Sequence, residues 1–207
     1  MNDVREKALD AFLGLIAEKG YADVALRDVA QAAGLGFADL YGVYPDKISL
    51  AAAFMARIDA EVMAGTPSSV DPEETPRDRL FDVMMRRYDA LRPHRPALRA
   101  LRRAGTRDPM LAIAMGPPLR RSMAAMLEAA SVASDGLPGA LRQNGLLAIH
   151  YAVSRVFDRD DSQDLSKTMA ALDNRLKTAE RWSQLFDRYV NSPGGGGRSG
   201  AGVSPEA

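Results

Sequence analysis

Cysteine is missing from all 207 residues. Its absence removes a disulfide scaffold, a thiolate metal site and a cysteine nucleophile together. It fits a reducing cytoplasm. Net charge is missing too: 27 Lys and Arg stand against 27 Asp and Glu, so the chain as a whole has no pull on nucleic acid or on an anionic membrane. No stretch approaches the roughly 18 uncharged apolar residues of a spanning helix. The start, MNDVREKALDAF, carries charges where a secretory leader needs an apolar run. The expectation is a soluble, cytoplasmic protein. Catalytic motifs are lacking as well. The two histidines, His94 and His150, stand alone without HExxH spacing, which argues against a metal. The glycine run 194–197 follows no strand pattern and lacks GK[ST], and no serine sits in GxSxG. The acidic run from Asp158 starts like a calcium loop, but Gln163 and Met169 occupy the places of its glycine and its bidentate glutamate. A helix cap explains that run better. Neither enzyme activity, nor a cofactor, nor a metal is expected.

What the chain does have is helical periodicity almost throughout, with 46% apolar residues and no alternating strand pattern or internal repeat. Val4, Ala8, Phe12, Leu15 and Ile16 recur at helical spacing up to Gly20. Two short helical patterns follow, Leu26 to Ala33 and Phe37 to Tyr44, joined by Gly34-Leu35-Gly36 and stopped by Pro45. Asp46 is placed to cap a fourth helix with Ile48, Ala51, Met55, Ile58 and Val62 on one face. Residues 65–76 read as a linker. A basic amphipathic helix then spans 77–91, Pro93 and Pro96 interrupt it, and a short helix runs to Ala104. Asp108 to Met115 reads as another short helix, and Pro117-Pro118 as the start of the next. Gly136 to Gly139 separates that one from a helix holding Leu141, Ala148, Ile149, Ala152 and Val156. Asp161 or Ser162 is expected to cap a last long helix.

Two short helices around a glycine turn read as a helix-turn-helix, whose second helix can enter a DNA major groove. The matching points Glu18-Lys19-Gly20-Tyr21, Arg27-Asp28-Val29-Ala30, Ala33-Gly34, Leu40-Tyr41, Tyr44-Pro45 and Lys47 resemble the N-terminal signature of the tetracycline-repressor (TetR) family of bacterial regulators. The resemblance covers about residues 5–60. It implies an all-α chain with a three-helix head at 1–46, a bridging fourth helix opening a helical body at 47–190, and a tail at 191–207 that composition marks as flexible. It also implies operator DNA as partner of the head, an apolar small molecule or lipid in the body, and a homodimer through a two-helix face.

Arg27, Tyr41, Tyr44 and Lys47 remain as candidate phosphate contacts. Core packing is the alternative reading of the tyrosines and the favoured one for Tyr44, and plain surface charge is an equal reading of Arg27 and Lys47. Gly36, Phe37, Asp39, Gly42 and Val43 stand where the family has polar or basic groups, and the first sixty residues carry six basic side chains against nine acidic ones. Such a head lacks the electrostatic term behind most non-specific DNA affinity. A second resemblance supplies the alternative. Residues 156–182, with Asp161-Ser162-Gln163-Asp164 before Leu172-Asp173-Asn174-Arg175, are similar to the closing segment of the lipid-binding accessory protein of ubiquinone biosynthesis. That family has the same architecture without acting on DNA.

Two further features carry alternatives. Residues 77–121 hold twelve arginines and four acids: a basic face for phosphate, lipid head groups or an acidic partner, or helix faces paired to acids elsewhere. Methionines crowd the same region. Methionine suits either a loosely specified core or an adaptable apolar pocket. The family resemblance favours the pocket, with Met84, Met85, Tyr88, Met110, Met123, Met126 and Tyr151 as candidate lining. Trp182, Phe186 and Tyr189 share a stripe that suits peripheral membrane contact, a dimer contact or docking onto the body.

Overall fold

The computed structural model describes residues 2–67, 69 and 71–190, and for residues 2 and 182–190 the backbone path alone. Among the described residues it is all α, with nine α-helices and no strand. The Trp182, Phe186 and Tyr189 stripe and the tail at 191–207 lie outside the described side chains.

Three helices make the head. Helix α1 (Asn2–Lys19) ends where Gly20 turns the chain at φ +91°, a conformation glycine adopts freely. Helix α2 (Leu26–Ala32) opens with the Asp28 carboxylate accepting from Ala25 N–H at 2.8 Å. It closes with Gly34 at φ +65° and a bond from Leu35 N–H back to the Ala30 carbonyl. Helix α3 (Phe37–Val43) buries Leu40 against that turn. Phe12, Ile16, Val29, Leu40 and Tyr44 form the inner face of the head.

Helix α4 (Lys47–Ala64) starts at Asp46, whose carboxylate accepts from Ser49 N–H at 2.6 Å. It runs from the head into the body and packs on α1, α5 and α7. Arg57 on α4 reaches back to Asp10 (2.6 Å) and Glu6 (3.3 Å) on α1. Helix α5 (Pro76–Leu91) leads through a tight turn at Arg92–His94 into α6 (Arg95–Arg107), and α6 lies against α1.

Helix α7 (Pro109–Ala129) is one continuous helix, where the sequence suggested two. Pro117 and Pro118 sit inside it and take donors away from the carbonyls of Ile113 and Ala114. It stays helical through the interruption and packs against α4, α5, α6 and α8. Helix α8 (Gly136–Phe157) likewise begins at the glycines expected to precede it. A Cβ on Gly139 would fall 2.0 Å from the Ser134 carbonyl oxygen, so the first turn of α8 passes against the preceding loop at a distance only glycine permits.

Helix α9 (Ser166–Val190) starts later than the cap at Asp161 or Ser162 implied. The hydrogen bonds explain the shift. Ser162 Oγ and Asp164 Oδ1 both take the Ser166 N–H, at 3.0 and 3.2 Å. Asp160, fully buried, takes the N–H and hydroxyl of Thr168, each at 2.7 Å, along with the N–H and hydroxyl of Ser162. Burial works to raise the Asp160 pKa, but these donors outweigh it and hold the carboxyl at about 2.

The arginines of α5 and α6 are largely spent on the fold. Arg92, Arg95, Arg99 and Arg102 form one stripe at helical spacing, and all four grip the end of α8 and the loop behind it. Arg92 donates to the Gln163 carbonyl at 3.0 Å, Arg95 to the Asp160 carbonyl at 2.7 Å, and Arg99 to the Asp158 carbonyl; Arg102 pairs with the Asp158 carboxylate. Cations at the C-terminal end of a helix also interact favourably with its dipole.

Candidate functional site

The head presents α3 as its exposed short helix, and the chemistry of that face is aromatic. Phe37 and Tyr41 are 43% and 56% exposed, with ring centroids 6.2 Å apart, so the face offers π-surface and one phenol rather than cations. Asp39 folds back over the start of the helix: a Cβ on Gly36 would lie 2.7 Å from its Oδ2. The four candidate DNA contacts separate here. Tyr41 is open to solvent and Tyr44 is buried beneath the Arg5 guanidinium, 5.6 Å from its ring. Arg27 stays exposed but lies 5.3 Å over the Phe37 ring. Lys47 turns inward, donating to the Tyr21 carbonyl at 2.7 Å with its ammonium 4.4 Å from the Tyr21 ring. Burial lowers the Lys47 pKa, and Asp23 partly offsets that.

The body holds a cavity of about 160 Å³. One buried water needs only about 10–15 Å³, so the space suits a small organic molecule. Five helices wall it. Met55 comes from α4, Arg87 and Leu91 from α5, and Leu98, Leu101, Arg102 and Gly105 from α6. Helix α7 adds Leu111, Ala112, Met115 and Leu119, and α8 adds His150, Tyr151 and Ser154. Of the seven residues proposed from sequence, Tyr151 lines this space. Met84, Met123, Met126 and Tyr88 are fully buried in the packed core beside it. Met85 is half-buried against that core, and Met110 is 71% exposed on the outer side of α7.

A polar cluster closes one end of the cavity. Tyr88 stacks on His150, with ring centroids 5.7 Å apart and its hydroxyl 3.1 Å from His150 Nδ1. Desolvation, reinforced by the positive charges of Arg87 and Arg102, pushes the His150 pKa down to about 3, so its imidazole is neutral. Burial raises the Tyr88 pKa, which keeps the phenol protonated. Arg87, fully buried, pairs with Asp59 on α4, and Asp59 also accepts from Ser122 Oγ on α7 at 2.6 Å. Arg87 Nε has no partner. Nothing in the spacing of Tyr88 and His150, 62 positions apart, announced this pair. The stripe Arg92, Arg95, Arg99, Arg102 was readable and would have pointed to Arg102.

No group of acidic and histidine side chains among the described residues could hold a metal ion. No helix among them is long and apolar enough to cross a membrane.

No family model and no curated protein matches the chain. Solved structures do. A TetR transcriptional regulator from Nitrosomonas europaea superposes with a TM-score of 0.68 at 20% identity, over 86% of this chain and 98% of the other. A TetR transcriptional regulator from Rhodococcus sp. gives a TM-score of 0.61 at 23% identity, over 84% and 96%. The chain therefore has the TetR-like fold, head and body together.

Proposed function

We propose that this chain is a DNA-binding transcription regulator that acts as a homodimer and responds to an apolar small molecule in the body. The head at 1–46 reads DNA through α3, the body at 47–190 binds the ligand and the second copy, and neither catalyses a reaction. The observation that carries the reading is the position of the cavity. Two of its walls, α4 and α6, are also the helices that hold the head: α4 extends out of it and α6 lies against α1. A ligand that favours one arrangement of α4 and α6 would favour one spacing of the two heads, which is the coupling a ligand-responsive regulator needs. Leu137, Leu141 and Tyr151 on α8 and Met169 on α9 are exposed apolar side chains consistent with a face that a second copy covers.

The test is binding of the purified full-length protein to the promoter region beside its own gene, at low and moderate salt. Binding is expected, with a shallow salt slope because so few cations face the DNA. No binding at low salt would sink the DNA reading.

The alternative is a lipid-carrying accessory protein that keeps the fold without using DNA. The aromatic face of α3 and the inward-turned Lys47 favour it. Native mass spectrometry separates the two: a co-purified lipid with no promoter binding supports the carrier, and an empty body with tight DNA binding excludes it. Neighbouring genes are the cheapest discriminator, since a divergent promoter favours the regulator and quinone-pathway genes the carrier.

A further inference from the structure

The ionisable groups on the cavity wall share one bias. Arg87 and Arg102 are on it, and no aspartate or glutamate is. Their carboxylate partners, Asp59 and Asp158, meet them from outside the lining. Arg102 keeps 24% of its side chain open, and its contact with Asp158 leaves Arg102 Nη2 and Asp158 Oδ1 without an aligned hydrogen bond. Arg87 lines the cavity as well but is closed to solvent and tied to Asp59, so it contributes field more than contact. His150 adds a neutral imidazole. A Tyr88 hydroxyl that donates to Nδ1 leaves the proton on Nε2, the tautomer that would donate to an anion. The polar end of the cavity therefore presents guanidinium groups and no carboxylate. The rest of the wall is mostly leucine and methionine from α4 to α7, with Gly105, Ala112, Tyr151 and Ser154 between them.

We propose that the cavity takes a carboxylate-bearing amphiphile, its head on Arg102 and His150 and its apolar part along Leu98, Leu101, Leu111 and Leu119. This deepens the effector-site reading above and rests on it for the cavity's role. A guanidinium binds a carboxylate through charge-assisted, often paired hydrogen bonds. An alcohol of the same shape gains less from the field, and an ammonium is repelled by it. Burial is the first cause of the depressed His150 pKa and the two guanidiniums the second; that second part would also attract an anion beside the imidazole.

The test is calorimetric titration of the full-length protein without DNA, so that its result is independent of whether the head binds a promoter. Two tail shapes are compared: decanoate against decanol and decyltrimethylammonium, and naphthoate against naphthylmethanol. At least one carboxylate should bind about tenfold or more tightly than its alcohol, and the ammonium should bind weakest. Arg102→Gln combined with Asp158→Asn, which leaves no stranded carboxylate, should bring that ratio close to one and keep the alcohol affinity. Gly105→Leu locates the site. A Cβ there meets nothing within 4 Å, so the side chain can enter the cavity, and it should abolish carboxylate binding while the protein remains folded by circular dichroism. The inference is overturned if neither carboxylate binds, if each alcohol matches its acid, if the ratio survives the double substitution, or if Gly105→Leu binds as before.

Discussion

Head and body handle charge in opposite ways. In the head, acids outnumber bases; Lys7 pairs with Asp3, and Arg5, Arg27 and, at the border with the body, Lys47 lie against the rings of Tyr44, Phe37 and Tyr21. In the body, arginines are concentrated, yet they too are taken inward. Arg87 is tied to Asp59, and the stripe from Arg92 to Arg102 holds the end of α8. The difference lies in what each capture achieves. Cations on aromatic faces in the head join its elements through rings and a carbonyl rather than through carboxylates. Cations in the body cross-link helices far apart in the chain and leave their field inside a cavity. A count of charges per segment predicts neither outcome, since both depend on which partners the fold supplies.

The largest expected effect breaks the body's half of this contrast. Asp59→Ala leaves the fully buried Arg87 without its counter-charge and Ser122 without its acceptor. A loss of about 3–5 kcal/mol is expected, read as a fall in urea midpoint. A loss within experimental error would mean that water reaches Arg87 and that the body's inner cations do not cross-link it.

A smaller effect follows from pH. The folded-state pKa of His150 is about 3, below its unfolded value near 6.5. The unfolded chain therefore binds more protons in that window, and stability falls as pH drops from about 6.5 toward 3. His94 shifts the same way, first through burial and then through Arg57. His150→Phe keeps the ring on Tyr88 and removes the titration, so the slope of stability against pH between about 6.5 and 5 should flatten. An unchanged slope would place the acid sensitivity elsewhere.

The smallest effect on stability, and the sharpest on function, belongs to the head. Asp39→Lys removes a carboxylate from the exposed start of α3 and adds a cation. If α3 meets DNA, promoter affinity should rise with little regard to sequence, and the salt slope should steepen by roughly one contact. Stability should fall by roughly the few tenths of a kcal/mol that an acid at a helix start contributes, read as a slightly lower melting temperature. A fall in stability with no gain in DNA binding would leave the head's acids as structural and favour the carrier reading.

The head was legible because local chemistry punctuates it. Gly20, Gly34 and Asp46 each do at one position what the sequence suggests, and the patterns between them are short. Helix α7 was not, because Pro117-Pro118 is a strong local signal and the packing on four neighbouring helices that overrides it is non-local. The cavity was legible in its existence more than in its lining. Helical periodicity marks an apolar face, but it does not say whether that face meets packed core or open space. Met84, Met123 and Met126 went to the core, while Leu98, Leu101 and Leu119, chemically no different in kind, line the cavity. His150 was unreadable because its partner is supplied by another helix.

The arginine stripe turns α6 into a strut. One flank bears on the head through α1; on the other, Arg99 and Arg102 hold the end of α8 at Asp158, and Arg95, with Arg92 just before the helix, holds the loop beyond it. A strut held on both flanks passes a displacement from one to the other. A cavity occupant that shifts α6 would then be felt at the start of α9 as well as at α1, because the loop that Arg92 and Arg95 hold leads into that helix.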